Sequence, residues 1–234
     1  MQLVLHGTPL SPFVRKVRAV MLEKGLACRL EPVSPFDPPD GWRALSPLGR
    51  VPVLVDEDRP EAGSLPDSSA ICAFLEAQAP EPLLLPEDPW LRARTLWLEE
   101  FADTELAARI GFGIWRALVV GPLGGAEADE ESARRTVEEK LPPSFDYLDG
   151  LLAEALWFSG PAVGLADIAI AAQLVGFRHG GFELDGGRWP RLAPWLEAIC
   201  ARASFVRLLE EDRTLLGEHS RRFTNARQAP SANA

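Results

Sequence analysis

A hydroxyl side chain stands where the first strand pattern gives way to the first helix pattern. The apolar run Leu3–His6 predicts a strand, Gly7–Pro12 contains turn residues, and Phe13–Lys24 has an amphipathic helical pattern. Ser11 directly precedes that helix, and Thr8 lies in the same turn. Unpaired N–H groups and the positive end of a helix favour an anion at such a place. We therefore expect an anion site at Ser11, although a simple N-cap explains the same residue.

Two later turns carry features that point toward the same kind of site. Val51-Pro52 opens the third strand pattern, where proline is unusual. A cis peptide bond would leave the Val51 N–H and C=O facing outward, whereas a trans proline at a strand entrance is the alternative. Asp67 and Ser68 stand at the start of the next helix pattern, where capping is the simpler explanation.

The elements that must position these residues alternate between strand and helix. The order β-α-β, loop, β-β-α in the first 80 residues predicts a mixed sheet covered by helices. In the first helix, the apolar side chains form one face, and we expect the charged groups of Arg15, Lys16 and Arg18 to point away from it.

The second part of the chain has a different character. Residues 80–89 are rich in proline and predict a linker after a first domain at 1–79. Helical patterns then predict an all-helical domain at 90–218, and the polar segment 219–234 predicts a disordered tail.

Composition excludes several classes of function. The net charge of −10 argues against a nucleic-acid partner. The three cysteines, Cys28, Cys72 and Cys200, cannot form a disulfide framework or a CxxC metal site, so we expect a reducing cytoplasm and no metal. Because the chain opens on a strand pattern, we expect no signal peptide, and no segment approaches the ~20 apolar residues of a membrane span.

The order of the three turn features resembles the glutathione transferase family over about residues 1–216. In that family a catalytic residue follows strand one, a cis proline precedes strand three, and an acidic-Ser pair, usually Glu-Ser, begins the next helix. Ser11, Val51-Pro52 and Asp67-Ser68 match these positions.

The second part of the chain also carries a motif of this family. The segment Ser159–Ile168 is similar to the helix-start motif G-x-x-x-[ST]-x-A-D-[IV], with Asp167 at the third helical position and Gly164 in place of Ser or Thr. Trp189–Leu196 also resembles a late helix start.

The resemblance implies the fold of these transferases: a thioredoxin-like α/β N-terminal domain followed by an all-α C-terminal domain. It implies glutathione as co-substrate, with Ser11 donating its O–H to the thiolate as in the serine types, such as the tau and zeta classes. Thr8 is the alternative donor to the thiolate. Many members of the family use a tyrosine instead, but the one tyrosine of this chain, Tyr147, lies in the second part. The glutathione-binding residues would be Phe13, Arg50, Val51, Pro52, Asp67 and Ser68, although Arg50 is equally explained as a solvated charge.

The resemblance also implies an electrophile pocket between the two parts. Its walls would be Leu10, Phe13, Phe112, Trp115 and Arg116, although aromatic residues at helical spacing are also typical of a core.

The activity that the resemblance implies is conjugation of glutathione to small apolar electrophiles. A glutathione-dependent isomerase, dehalogenase or peroxidase is the alternative, and so is a non-catalytic binding protein, because Asp67 is one methylene shorter than Glu. We expect a cytoplasmic homodimer without nucleic-acid or membrane partners.

Overall fold

The chain divides into two units, Met1–Leu85 and Pro86–Ala234. The computed structural model describes residues 1–123, 126–153 and 155–228, except for the side chains of 123 and 218–228. The first unit contains a sheet with helices, and the described part of the second is helical. The predicted fold class is therefore confirmed. The division falls after Leu85, inside the segment 80–89 that the sequence predicts as a linker.

The sheet of the first unit is mixed, as the order of patterns predicts. Its spatial order is β2-β1-β3-β4, with β1 and β2 parallel and the other neighbours antiparallel. The strands are β1 Leu3–His6, β2 Arg29–Glu31, β3 Val53–Asp56 and β4 Ser64–Pro66.

The helices of the first unit pack on this sheet. They are α1 Pro12–Glu23, α2 Trp42–Leu45 and α3 Ser68–Gln78, with a 3₁₀ turn at Pro60–Ala62. Val14 and Val17 of α1 and Ile71 and Leu75 of α3 are completely buried. Burial of such side chains contributes about 1.5–3 kcal/mol each, which fixes the two helices that begin directly after Ser11 and Asp67.

Two charged residues of α1 lie in the interior, which corrects the expectation from the sequence. Arg15 and Lys16 are each 1% exposed, whereas we expected them to point away from the core. Long aliphatic stems pack well in an interior when the charged end finds a partner. Lys16 does so through Ser69 on α3, whose Oγ lies 3.3 Å from Nζ.

Gly7 lets the chain leave β1 close to α1. A Cβ atom at this position would lie 2.5 Å from Cγ2 of the buried Val14. We expect Gly7→Ala to lower the free energy of unfolding by about 1–3 kcal/mol, because the stiff valine cannot move aside. Urea denaturation measures this change. Gly150→Ala is the control, since nothing lies within 4 Å of a Cβ there and alanine favours the helix; equal effects of both changes would contradict the crowding explanation.

The described part of the second unit is a set of helices around a buried central one. They are α4 Pro89–Phe101, a π-helical continuation Ala102–Val120, α5 Gly121–Leu123, α6 Glu130–Arg135, a π-helical turn Thr136–Lys140, α7 Pro142–Leu151, α8 Leu165–His179, α9 Leu192–Cys200 and α10 Ala203–Gln228.

The central helix of this unit is α8, which is buried from Leu165 to Phe177. The last helix, α10, has a non-helical residue at Gly217 and a helical backbone to Gln228. The sequence predicts a disordered tail at 219–234, whereas the backbone is helical over 219–228. Residues 229–234 lie outside the described residues. None of the described helices is long and apolar enough to cross a membrane.

Candidate functional site

Ser11 is the N-cap of α1, with extended backbone angles of φ −69° and ψ 128°. Its Oγ accepts a hydrogen bond from the Val14 N–H at 3.5 Å, and Pro12 occupies the start of the helix. The N-cap alternative is therefore correct as a description of the local structure. That bond is long and uses the oxygen as acceptor, so the O–H of Ser11 is the part that can be donated to a ligand.

Thr8 lies in the same turn as Ser11. The Ser11 N–H donates to the Thr8 carbonyl at 3.0 Å, which closes the turn between β1 and α1. Both side chains are half-buried, as is that of Phe13 in the first turn of the helix. Two hydroxyl groups and an aromatic ring thus come from one short segment.

The Val51–Pro52 peptide bond is cis, so the trans alternative is wrong. Both residues are buried, and β3 begins after them at Val53. Proline cannot donate a hydrogen bond to a neighbouring strand, which explains why the strand starts later than its sequence pattern. The Pro52 carbonyl instead accepts the Asp67 N–H at 3.4 Å, which joins the second feature to the third.

Asp67 has a backbone conformation that is rare for a residue with a side chain, with φ +102°. Its Oδ1 accepts from the N–H groups of Ser69 at 2.9 Å and Ala70 at 3.1 Å, so it also caps α3. Such conformations cost about 1–3 kcal/mol and cluster at ligand sites. Ser68, the first residue of α3, is buried.

The register of the sheet brings the three features to one edge. His6 at the end of β1 is opposite Val53 at the start of β3, and Val53 is opposite Pro66 at the end of β4. The segment with Ser11 follows the first of these residues, the cis bond precedes the second, and Asp67 follows the third. Three turns that are distant in sequence therefore leave the sheet side by side.

Arg50 stands next to this edge with an exposed side chain. Its backbone carbonyl accepts a hydrogen bond from Ser46 Oγ at 2.8 Å, which holds the turn before the cis bond. The backbone is thus fixed while the guanidinium faces solvent, a state that suits a ligand carboxylate and a solvated charge equally well.

The residues predicted for an electrophile pocket occur in both units. Leu10 is half-buried in the first unit. Phe112, Trp115 and Arg116 lie in the π-helical stretch of the second unit, where Phe112 is 67% exposed and Arg116 is exposed. The Trp115 ring lies 5.5 Å from that of His179, so it is part of the packing of its own unit. A pocket shared by these residues and Leu10 stays a prediction.

His6 and Cys28 are two further titratable residues of the first unit, and neither has the properties of a catalytic group. The His6 ring packs edge-on against Trp42 at 6.0 Å, and burial lowers the pKa of His6, which keeps the imidazole neutral at pH 7. Burial raises the pKa of the Cys28 thiol, which is the opposite of what an activated thiol needs. Within the described residues, no three His, Cys, Asp or Glu side chains gather as metal ligands.

Asp167 confirms the capping interaction predicted for α8 and adds to it. Its carboxylate accepts from the N–H groups of Gly164 at 3.1 Å, Phe158 at 2.8 Å and Ser159 at 3.2 Å. The indole N–H of Trp195 donates to it at 3.0 Å, which the sequence did not predict because the two motifs are distant in the chain. Burial raises the pKa of Asp167, against the effect of these hydrogen bonds.

Comparisons with known proteins agree with this arrangement. Residues 5–83 match the family model "Glutathione S-transferase, N-terminal domain", and residues 97–198 match "Glutathione S-transferase, C-terminal domain". The uncharacterized GST-like protein YibF of Escherichia coli K12 is 32% identical over 87% of this chain and 96% of its own length. A maleylacetoacetate isomerase of Pseudomonas aeruginosa is 31% identical, covering 81% of this chain and 87% of that protein.

A solved structure extends the likeness to three dimensions. The crystal structure of a glutathione S-transferase from Rhodospirillum rubrum F11 superimposes with a TM-score of 0.80 at 27% identity, over 89% of this chain and 92% of that one. Both units, the order of the three turns and the capping carboxylate of α8 therefore have one explanation, and the chain belongs to the glutathione S-transferase family.

Proposed function

We propose that this chain is a glutathione transferase of the serine type, resembling the tau and zeta classes. It would activate the thiol of glutathione for attack on small apolar electrophiles. The observation that supports this most is the row of paired residues His6, Val53 and Pro66, from which the three turns with the candidate residues leave at one edge. A tripeptide with a thiol in its middle and charges at its ends needs several contacts of this kind along one line.

Each end of glutathione has a candidate partner in this proposal. The Asp67 carboxylate would pair with the γ-glutamyl ammonium, and Ser68 with the N–H groups of α3 would bind the neighbouring carboxylate. The Val51 backbone would bond to the cysteinyl backbone like an added strand, beside Pro52 and Phe13. Arg50 would neutralise the glycyl carboxylate.

Ser11 would stabilise the thiolate by donating its O–H to the sulfur. Lowering the pKa of a thiol by two units from its ordinary value of ~8.5 requires about 2.7 kcal/mol. A hydrogen bond to a charged group supplies about 1.5–3 kcal/mol, and a helix N-terminus about 0.3–1 kcal/mol. These two contributions are sufficient. Thr8 is the alternative donor, because it lies in the same turn.

The proposal is tested by retention on immobilised glutathione, by calorimetry of glutathione binding, and by a panel of electrophiles. A second activity, isomerisation, is favoured by the maleylacetoacetate isomerase among the relatives. The same thiolate serves both reactions, so the panel includes maleylacetoacetate. If the protein is not retained and calorimetry detects no binding of glutathione, a non-catalytic member of the family is favoured instead.

The charge of Asp67 is expected to matter more for binding than for folding. Asn at this position tolerates positive φ and keeps an oxygen for the cap, but it loses the ion pair with the ammonium. We expect Asp67→Asn to raise the Kd for glutathione about 10- to 100-fold, which corresponds to the ~1.5–3 kcal/mol of a charged hydrogen bond. The melting temperature should change by only a few degrees. Calorimetric titration measures the first effect, and an unchanged Kd would remove Asp67 from the binding site.

We also propose a homodimer in the cytoplasm. Large apolar side chains are exposed in both units, including Leu48 at 72%, Trp90 at 81% and Trp97 at 54%, and burial against a second copy would remove them from water. The three cysteines are free thiols, which a reducing compartment maintains. Light scattering of the purified protein determines the mass in solution, and a monomer would contradict the dimer.

A further inference from the structure

A buried ion pair joins the far ends of the two helices that begin at the candidate site. Lys24, the C-cap of α1, places Nζ 2.7 Å from Oε2 of Glu76 on α3, and their side chains are 0% and 9% exposed. Removing two charges from water is costly, and apolar residues of similar volume frequently give equal stability. The pair is therefore better explained by what it positions than by stability alone.

The other partners of this pair lie in the segment that follows α3. Lys24 Nζ donates to the carbonyl oxygens of Ala79 at 2.7 Å and Pro82 at 2.8 Å. Glu76 Oε1 accepts from the N–H groups of Leu84 and Leu85, both at 3.1 Å. The start of the predicted linker is thus bound to the ends of both helices as part of the first unit.

A second link between the helices lies near the site. Lys16 Nζ donates to Ser69 Oγ at 3.3 Å, close to the start of α3. From Lys16 to Lys24 the helix rises about 12 Å, and from Ser69 to Glu76 about 10 Å, at about 1.5 Å per residue. Two links with nearly equal spacing mean that α1 and α3 run side by side in the same direction, in one register.

This register determines the distance between two parts of the site. The helix α1 begins after Ser11, and α3 begins after Asp67. One glutathione molecule has to reach both residues at once, so the axial offset of the helices sets the span that the ligand must bridge. We propose that Lys24 and Glu76 form a positioning pair that fixes this offset and thereby the affinity for glutathione, an inference that rests on the proposed function.

Glu76→Gln tests the pair with little change in shape. The amide keeps an oxygen for the Leu84 and Leu85 N–H groups but loses the charge opposite Lys24. We expect the KM for glutathione to rise about tenfold. The kcat at saturating glutathione and the pKa of the bound thiol should stay unchanged, because Ser11 acts on the sulfur locally. A purely structural defect would lower the amount of active enzyme and leave KM as it was.

NMR spectroscopy of the protein without glutathione tests the same change in helix position independently of the kinetics. The backbone NMR resonances of Val14 and Ala70 report the starts of α1 and α3, and they should move in Glu76→Gln. The control is Arg29→Met, which breaks exposed ion pairs with Glu31 and Glu57 in the same unit and should move neither KM nor these resonances.

Removing both charges guards against misfolding. Lys24→Met with Glu76→Gln leaves no charge buried alone and keeps an oxygen for the Leu84 and Leu85 N–H groups, and its KM should rise at least as much as that of Glu76→Gln alone. A normal KM in both variants overturns the positioning role. If the wild-type protein itself does not bind glutathione, the proposed function fails and this inference with it, whereas tight binding by wild type and variants alike overturns the inference only.

Discussion

Replacing Ser11 with alanine is expected to raise the pKa of the glutathione thiol in the complex by about one to two units, because a hydrogen bond to the thiolate is lost. If the pKa in the wild-type complex is ~6.5, the thiolate fraction at pH 7 and kcat/KM should then fall about 3- to 25-fold. The ultraviolet absorbance of the thiolate, followed against pH in the complex, measures the shift directly. The helix also loses its N-cap, at a cost of about 1 kcal/mol, so the melting temperature is measured alongside.

Two controls separate Ser11 from its neighbour and from the fold. Ser11→Thr keeps both the hydroxyl and the cap and should retain most of the activity. Thr8→Ala should leave the thiol pKa where it is. If Thr8→Ala raises the pKa and Ser11→Ala does not, the roles of the two hydroxyl groups are reversed, and if neither does, the activation comes from the helix N-terminus.

Asp167→Ala is expected to have the largest effect on stability. Three backbone N–H groups and the Trp195 indole N–H donate to this carboxylate, and all would lose their acceptor in the interior. Unsatisfied buried donors cost about 1–3 kcal/mol each, and water entering the gap recovers part of this, so we expect a loss of about 3–5 kcal/mol. For a chain of this size that lowers the melting temperature by roughly 10 °C. Differential scanning calorimetry provides the measurement.

Asp88→Ala is the matched control in the same unit. Asp88 caps α4 by accepting the Leu91 N–H at 2.8 Å, but at an exposed position where water replaces the lost acceptor. We expect a loss of about 1 kcal/mol there. Equal losses for Asp88→Ala and Asp167→Ala would mean that Asp167 acts as an ordinary cap, and not as a buried junction between α8 and α9.

The parts of the site that the sequence predicted correctly depend on local rules. Ser11 and Asp67 cap helices because their short polar side chains reach the N–H groups of the next turn. The cis bond at Val51–Pro52 came from the family resemblance, and no rule for single residues would have favoured it over trans. The mixed sheet of the first unit and the helical character of the second follow from periodicity, whereas the spatial order of the strands was not predicted.

The features that the sequence did not predict depend on contacts between distant residues. A helical pattern ranks residues by polarity, so it predicts that Arg15 and Lys16 point away from the core. It cannot show that a charged end, such as that of Lys16, meets a partner on another helix. The buried ion pair between Lys24 and Glu76 could not be predicted for the same reason. The Trp195 bond to Asp167 joins two motifs that each look complete alone, and only the packed structure relates them.

The edge of the sheet where the three turns meet has a consequence for how the site comes into being. His6 and Val53 are nearly fifty positions apart, so their pairing closes a long loop, while the hairpin of β3 and β4 forms locally. Non-local pairing is slow and comes late in folding. The start of β3 and Asp67 can therefore come together early, but they face Ser11 only when β1 joins the sheet. We therefore expect only the completely folded first unit to bind the ligand.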